Sequence, residues 1–141
     1  MAETMYSTEA LSTGGGRNGH VRTTDGLIDL DLATPPQMGG SGAGTNPEQL
    51  FAAGYAACFH SALQGVARQR NASLGDSSVG ARVSLHRTDD GGVGLAVELE
   101  VVIPELPRDE AQELADLAHQ ACPYSKATRG NIEVRVSVVD D

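Results

Sequence analysis

The sequence predicts an α+β fold: curved antiparallel sheet with two helices on its face. Three observations carry this. Strand-like segments with apolar residues at every second position cluster before and after two helical segments. The strands come in pairs joined by Asp-Gly turns, which favours antiparallel hairpins. The chain has 141 residues, enough for one domain with a real core. No internal repeat, low-complexity tail or second domain interrupts residues 1–141, so they read as a single domain.

Composition narrows the function classes. The formal net charge is −9 and the isoelectric point about 4.7. That argues against nucleic acid or an anionic membrane as partner. Met1 to Leu11 is polar and lacks the apolar core of a signal peptide. No apolar run reaches the roughly 20 residues of a membrane helix. The expectation is a cytoplasmic protein, where thiols are kept reduced. Its two cysteines, Cys58 and Cys122, are too few for a disulfide scaffold. They are buried spacers, metal ligands or a redox pair.

In chain order, residues 4–13 read weakly as an edge strand, followed by a glycine turn around Arg17. His20 to Thr24 and Leu27 to Leu32 form strands about the Asp25-Gly26 turn. In the second, Ile28, Leu30 and Leu32 share one face and Asp29 and Asp31 the other. Residues 33–45, rich in Pro and Gly, form a long loop. The central helix follows. Asn46 can cap it, Pro47 suits its first position, and Gln49 completes a capping-box pattern. From Leu50 to Leu63 only Gly54, His60 and Ser61 fall outside the apolar set. A helix apolar on all faces is normally buried. It should run to about Arg70. Residues 79–88 and 93–103 are long strands joined by Asp89-Asp90-Gly91-Gly92. Residues 108–121 form an amphipathic helix with Ala111, Leu114, Ala115, Ala118 and Ala121 inward. Pro123 ends it. Ile132, Val134, Val136 and Val138 mark a last strand.

Chemistry centres on Cys58. It is either a small hydrophobe in a packed helix or a reactive thiolate. A thiolate needs an outside cation, because about three turns from the helix start the dipole has faded. Cys122 is either core or a thiol at a helix end, where local opening is cheap. Cys58, His60, His119 and Cys122 together spell a zinc ligand set. Geometry opposes it: helix positions i and i+2 point about 200° apart, so Cys58 and His60 cannot face one ion. Glu48 complements the helix start, and Arg17 is a charge in a glycine loop.

The segments NPEQLFAAGYAACFHSAL at 46–63, HQACPYSKATRGNIEV at 119–134 and GGGRNGHVRTTDG at 14–26 resemble the organic hydroperoxide resistance proteins. These belong to the OsmC-like family, with the osmotically inducible proteins. The resemblance covers nearly the whole chain, and the CPYS-x-ATRGN block favours the hydroperoxide branch. It implies an OsmC-like fold, an intertwined homodimer and two equivalent sites. It also implies roles. Cys58 corresponds to the peroxidatic cysteine and Cys122 to the resolving cysteine. Arg17 corresponds to the arginine that holds the thiolate, and Glu48 to the glutamate that pairs with it.

The implied reaction is reduction of organic hydroperoxides, including fatty acid hydroperoxides, through a Cys58 sulfenic acid and a Cys58–Cys122 disulfide. The implied reductant is a dihydrolipoyl dithiol, dihydrolipoamide or a lipoylated protein. No metal, haem or flavin is needed. The competing class is a non-catalytic module that binds apolar ligands such as lipids, with incidental thiols. One geometric expectation follows. Glu48 and Cys58 are some 15 Å apart along one helix axis. If one arginine bridges them, they come from different subunits, or the helix breaks between them.

Overall fold

The computed structural model describes residues 2–141. By internal contacts the chain divides into two units, one ending at Leu50 and one running from Phe51 to Asp141.

The first unit carries a three-stranded antiparallel sheet in the order β1 (Ala10–Thr13), β2 (His20–Thr23), β3 (Asp29–Asp31). Between β2 and β3 the Asp25 side chain closes the turn, accepting from the Leu27 amide at 3.0 Å and the Thr23 hydroxyl at 2.7 Å. His20 sits between Asp29 and Asp31, at 2.5 and 2.7 Å, and ties β2 to β3. The strands are shorter than the sequence suggests. Glycines and turn residues bound β2 on both sides, so few residues are left there to alternate. Met5, Tyr6, Leu11 and Leu27 are exposed, as are Ile28 and Leu30 of the expected apolar face. This sheet therefore presents apolar side chains to solvent.

Helix α1 (Pro47–Gln69) begins in the first unit and continues through the second without a break. The Asn46 side chain accepts from the Gln49 amide at 2.8 Å, the expected cap. The Gln49 side chain does not close the reciprocal box. It accepts from the Thr45 hydroxyl instead, at 2.8 Å.

The second unit packs α1, α2 (Arg108–Ala121) and the six-residue α3 (Pro123–Thr128) with the sheet β4 (Ser78–Arg87), β5 (Val93–Val102), β6 (Val134–Val138). β4 and β5 form the expected antiparallel hairpin, from Ser78 opposite Val102 to Arg87 opposite Val93. β6 corrects the all-antiparallel expectation, since it runs parallel to β5. A parallel neighbour needs a long crossover, and residues 103–133 with α2 and α3 supply it.

The core joins Tyr55, Phe59 and Leu63 of α1 to Val97, Leu99 and Val101 of β5 and to Ala111, Leu114, Ala115 and Ala118 of α2. Each large side chain fully buried here contributes roughly 1.5–3 kcal/mol. Two faces differ from expectation. Ala121 is exposed, because the helix ends there and the chain turns away. α1 is not buried all round: its large residues face the core, while Ala53, Ala57, Ser61 and Gln64 form an exposed stripe.

Candidate active site

Each unit contributes one pair of candidate residues. In the first unit, Arg17 lies on a single 3-10 turn, Gly16–Asn18, between β1 and β2. That turn is pinned. The Asn18 side chain accepts from the Thr34 amide at 3.0 Å, and the Gly19 carbonyl accepts from the Leu32 amide at 2.8 Å. Gly19 is required here, since a Cβ would lie 2.1 Å from the Thr13 carbonyl oxygen. From this turn the Arg17 guanidinium grips Glu48 with two parallel bonds, Nη1 to Oε1 at 2.7 Å and Nη2 to Oε2 at 2.9 Å. This is the fork geometry that lysine cannot reproduce. The Arg17 bond holds the Glu48 carboxyl below its usual range, and the same bond keeps Arg17 protonated. Arg17 is more than a third exposed, so the pair adds little stability; it fixes an orientation.

In the second unit, Cys58 and Cys122 are both reduced, with their sulfurs 3.5 Å apart and the Cys122 thiol donating to Cys58. Cys58 is half-buried on α1, and Cys122 is fully buried. Cys122 occupies the corner between α2 and α3, in extended conformation (φ −66°, ψ 124°). Pro123 explains the corner: it disfavours a helical residue before it and suits the first position of the next helix. The proline therefore both ends α2, as the sequence suggests, and starts α3, which the sequence reading missed.

Burial pushes the Cys58 thiol above its ordinary range, and Cys122 adds to the rise. The Tyr124 backbone N–H, donated to Cys58, opposes it. Within this unit no cation offsets the burial. The other residues of the zinc set are engaged elsewhere. His60 shares a hydrogen bond with Ser77 at 2.9 Å, and His119 with Ser125 at 2.8 Å. Among the described residues no three His, Cys, Asp or Glu side chains converge as a metal site.

The sequence reading also passed over what surrounds the thiols. The Tyr124 ring stacks on Phe51 (6.0 Å between centroids) and lies against Gly54, where a Cβ would be 2.8 Å from its hydroxyl oxygen. Gly54 thus makes room for a ring of its own chain. Tyr55, Ser125, Thr128 and His119 form a buried polar chain, with Tyr55 Oη 2.8 Å from Ser125 Oγ and 3.2 Å from Thr128 Oγ1. The available signal was spacing: Tyr55 precedes Cys58 by three residues, and Ser125 follows Cys122 by three.

Residues 39–137 match the family model of OsmC-like proteins. The organic hydroperoxide resistance protein OhrB of Bacillus subtilis is 47% identical over 132 residues, 93% of this chain and 96% of its own. The organic hydroperoxide resistance protein of Xanthomonas axonopodis pv. citri is also 47% identical, covering 95% of this chain and 94% of its own. A crystal structure of an organic hydroperoxide resistance protein from Legionella pneumophila superimposes with a TM-score of 0.91 at 53% identity, covering 96% and 98% of the two chains.

Proposed function

Because this chain belongs to the OsmC-like family, and within it to the organic hydroperoxide resistance proteins, we propose that it is a cysteine-based peroxidase reducing organic hydroperoxides to alcohols. The observation that carries this reading is the reduced pair Cys58 and Cys122, sulfurs 3.5 Å apart. A disulfide needs about 2.05 Å between the sulfurs.

The Cys58 thiolate attacks one oxygen of the O–O bond. The other leaves as alkoxide and takes a proton to become the alcohol, and Cys58 becomes a sulfenic acid. Cys122 then displaces the hydroxyl as water and closes the disulfide. A dihydrolipoyl dithiol, as dihydrolipoamide or on a lipoylated protein, reduces it by exchange. The apolar cluster against which Cys58 packs suits hydroperoxides with a hydrocarbon body, such as those of fatty acids. The chemistry runs on thiols and assigns no part to a metal or other cofactor. The working place is the reducing cytoplasm.

Arg17 is the cation that the buried thiol lacks, and Glu48 sets its orientation through the two-point grip. Since α1 is unbroken from Pro47 to Gln69, Glu48 and Cys58 of one chain stand about 15 Å apart along it. One guanidinium bound to Glu48 then serves the Cys58 of a second chain. The working unit is accordingly a homodimer with two composite sites. The exposed apolar residues of the first sheet and the small-residue stripe of α1 are consistent with surfaces that a partner covers.

The test is a thiol titration. Reduced protein receives one equivalent of an organic hydroperoxide. A peroxidase loses both thiols and yields one alcohol; a module that only binds apolar ligands keeps both. Turnover is then followed with dihydrolipoamide, thioredoxin or glutathione as reductant. Turnover with the last two but not the first would overturn the lipoyl assignment.

A further inference from the structure

The segment that presents Cys122 has little of its own to hold it in place. α3 has six residues, and helices this short have no independent stability in water. Its position must come from tertiary bonds. Besides the Tyr124 contacts with Phe51 and Cys58 and the Thr128 bond to Tyr55, two rungs join it to α1. One is the thiol pair, Cys58 with Cys122. The other lies one turn back on α1 and one turn on in α3: the Tyr55 hydroxyl with that of Ser125, at 2.8 Å. Both Tyr55 and Ser125 are fully buried.

One assignment of protons runs through this second rung without conflict. The Thr128 hydroxyl donates to the Ser125 carbonyl at 3.2 Å, so its one proton is spent. Tyr55 must then donate to Thr128, at 3.2 Å, and Ser125 to Tyr55. Ser125 has no proton left for His119, so His119 donates from Nδ1 to the Ser125 oxygen. Burial holds His119 neutral at ordinary pH, with the nearby Arg129 adding to the effect. The result is one continuous run, from His119 to Ser125 to Tyr55 to Thr128, ending on the Ser125 carbonyl as acceptor. No buried polar side-chain atom among the described residues is left without a partner.

Such a chain has a property that apolar packing lacks. Dispersion contacts tolerate sliding, whereas hydrogen bonds weaken steeply once distance or angle departs from the optimum. Closing the disulfide is equally demanding, since the attacking sulfur must lie near 3.5 Å from its target and in line with the bond to be broken.

We propose that Tyr55 and Ser125 are positioning residues for the resolving thiol: their hydrogen bond sets Cys122 in register with Cys58, and so decides whether the sulfenic acid becomes a disulfide or is over-oxidised. This rests on the peroxidase reading. Two reactions compete for the Cys58 sulfenic acid. In the first, the Cys122 sulfur attacks it, the S–O bond breaks, and the Cys122 proton leaves with the hydroxyl as water. In the second, another hydroperoxide gives an oxygen to the same sulfur, leaving a sulfinic acid and an alcohol. Only the first needs Cys122 in register.

Tyr55→Phe removes one oxygen and keeps the ring. The expected result is disulfide closure slowed roughly three- to tenfold, the range of one net hydrogen bond. The peroxide dose that converts half of Cys58 to sulfinic acid, read by intact mass, falls by a similar factor. Formation of the sulfenic acid, measured with Cys122→Ser in both backgrounds, stays within about twofold. A merely structural role would lower the melting temperature and leave this partition alone. Closure and sulfinic acid dose both unchanged in Tyr55→Phe would overturn the proposal, as would equal slowing of the first step. Should Tyr55→Phe fail to fold, Ser125→Ala reads the same bond from the other side. If the unaltered protein forms no Cys58–Cys122 disulfide with peroxide, the peroxidase reading itself has failed, which is a separate result.

Discussion

At Cys58 two demands conflict. As the proposed nucleophile the thiol must ionise to attack, yet burial and the neighbouring Cys122 hold its proton on. The proposed resolution is Arg17. Replacing it with alanine should move the pH profile of Cys58 alkylation upward, past the ordinary thiol value of about 8.5. Each unit by which the thiol pKa rises costs about tenfold in thiolate at neutral pH. Arg17→Lys should recover only part, for want of the fork. An alkylation profile that does not move would remove Arg17 from the mechanism. The grip on Arg17 has its own acid limit. The Glu48 carboxyl titrates below its usual range when folded, so its contribution is complete above the unfolded value of about 4.3. It is lost only as pH falls further, toward the folded value. Activity should therefore show no Glu48-dependent decline above about pH 5. For the thiols themselves, Cys58→Ser should abolish peroxide reduction. Cys122→Ser should consume about one equivalent and stop, or over-oxidise. Steady turnover by Cys58→Ser with dihydrolipoamide would refute the assignment. Both cysteines were legible as candidates from residue type and place. Nothing in residue type or spacing alone put their sulfurs in contact; that expectation came only from resemblance. The Tyr55–Ser125 rung was invisible because hydroxyl residues are common and only the fold shows which of them meet.

Elements bounded by strong local signals were read closely. The amphipathic stretch 108–121 is a helix over Arg108–Ala121, fenced by Pro107 and by the corner at Cys122 and Pro123. Strict alternation placed β4 and β5 to within about a residue. The direction of β6 was not legible, because alternation is the same for a parallel and an antiparallel neighbour. Nor was α3, since a proline announces a helix end more loudly than a start. Gly54 shows how element and site meet. Gly54→Ala should gain about 1 kcal/mol of helix propensity. It also sets a methyl group 2.8 Å from the Tyr124 hydroxyl oxygen. Tyr124 is 38% exposed, so its ring can swing outward. That forfeits its stacking on Phe51, a loss of about 0.5–1.5 kcal/mol. The terms offset. The melting temperature should stay within about 4 °C of the unaltered protein. Disulfide closure should slow, because Tyr124 lies two residues from Cys122. A large drop in melting temperature would mean that the ring is locked in place.

At the scale of the whole molecule, what one chain leaves exposed matters as much as what it buries. The second unit has a closed core, whereas the sheet of the first unit shows Leu11, Leu27, Ile28 and Leu30 to solvent. The continuity of α1 separates Glu48 from Cys58 in one chain. Both facts underlie the proposed two-fold assembly, in which each chain would lend its Arg17–Glu48 pair to the other's thiols. Complementation tests this. Cys58→Ser keeps the Arg17–Glu48 pair and lacks the nucleophile; Glu48→Ala keeps the nucleophile and lacks the grip on Arg17. Each alone should be inactive or nearly so. Unfolded together in equal amounts and refolded, half of the dimers should be mixed, and each mixed dimer has one site with every residue intact. Roughly a quarter of full activity should return. Were the site contained within a single chain, every site in the mixture would lack one residue and nothing would return. That outcome, with mixed dimers shown to have formed, would overturn the composite arrangement while leaving the chemistry of the two thiols untouched.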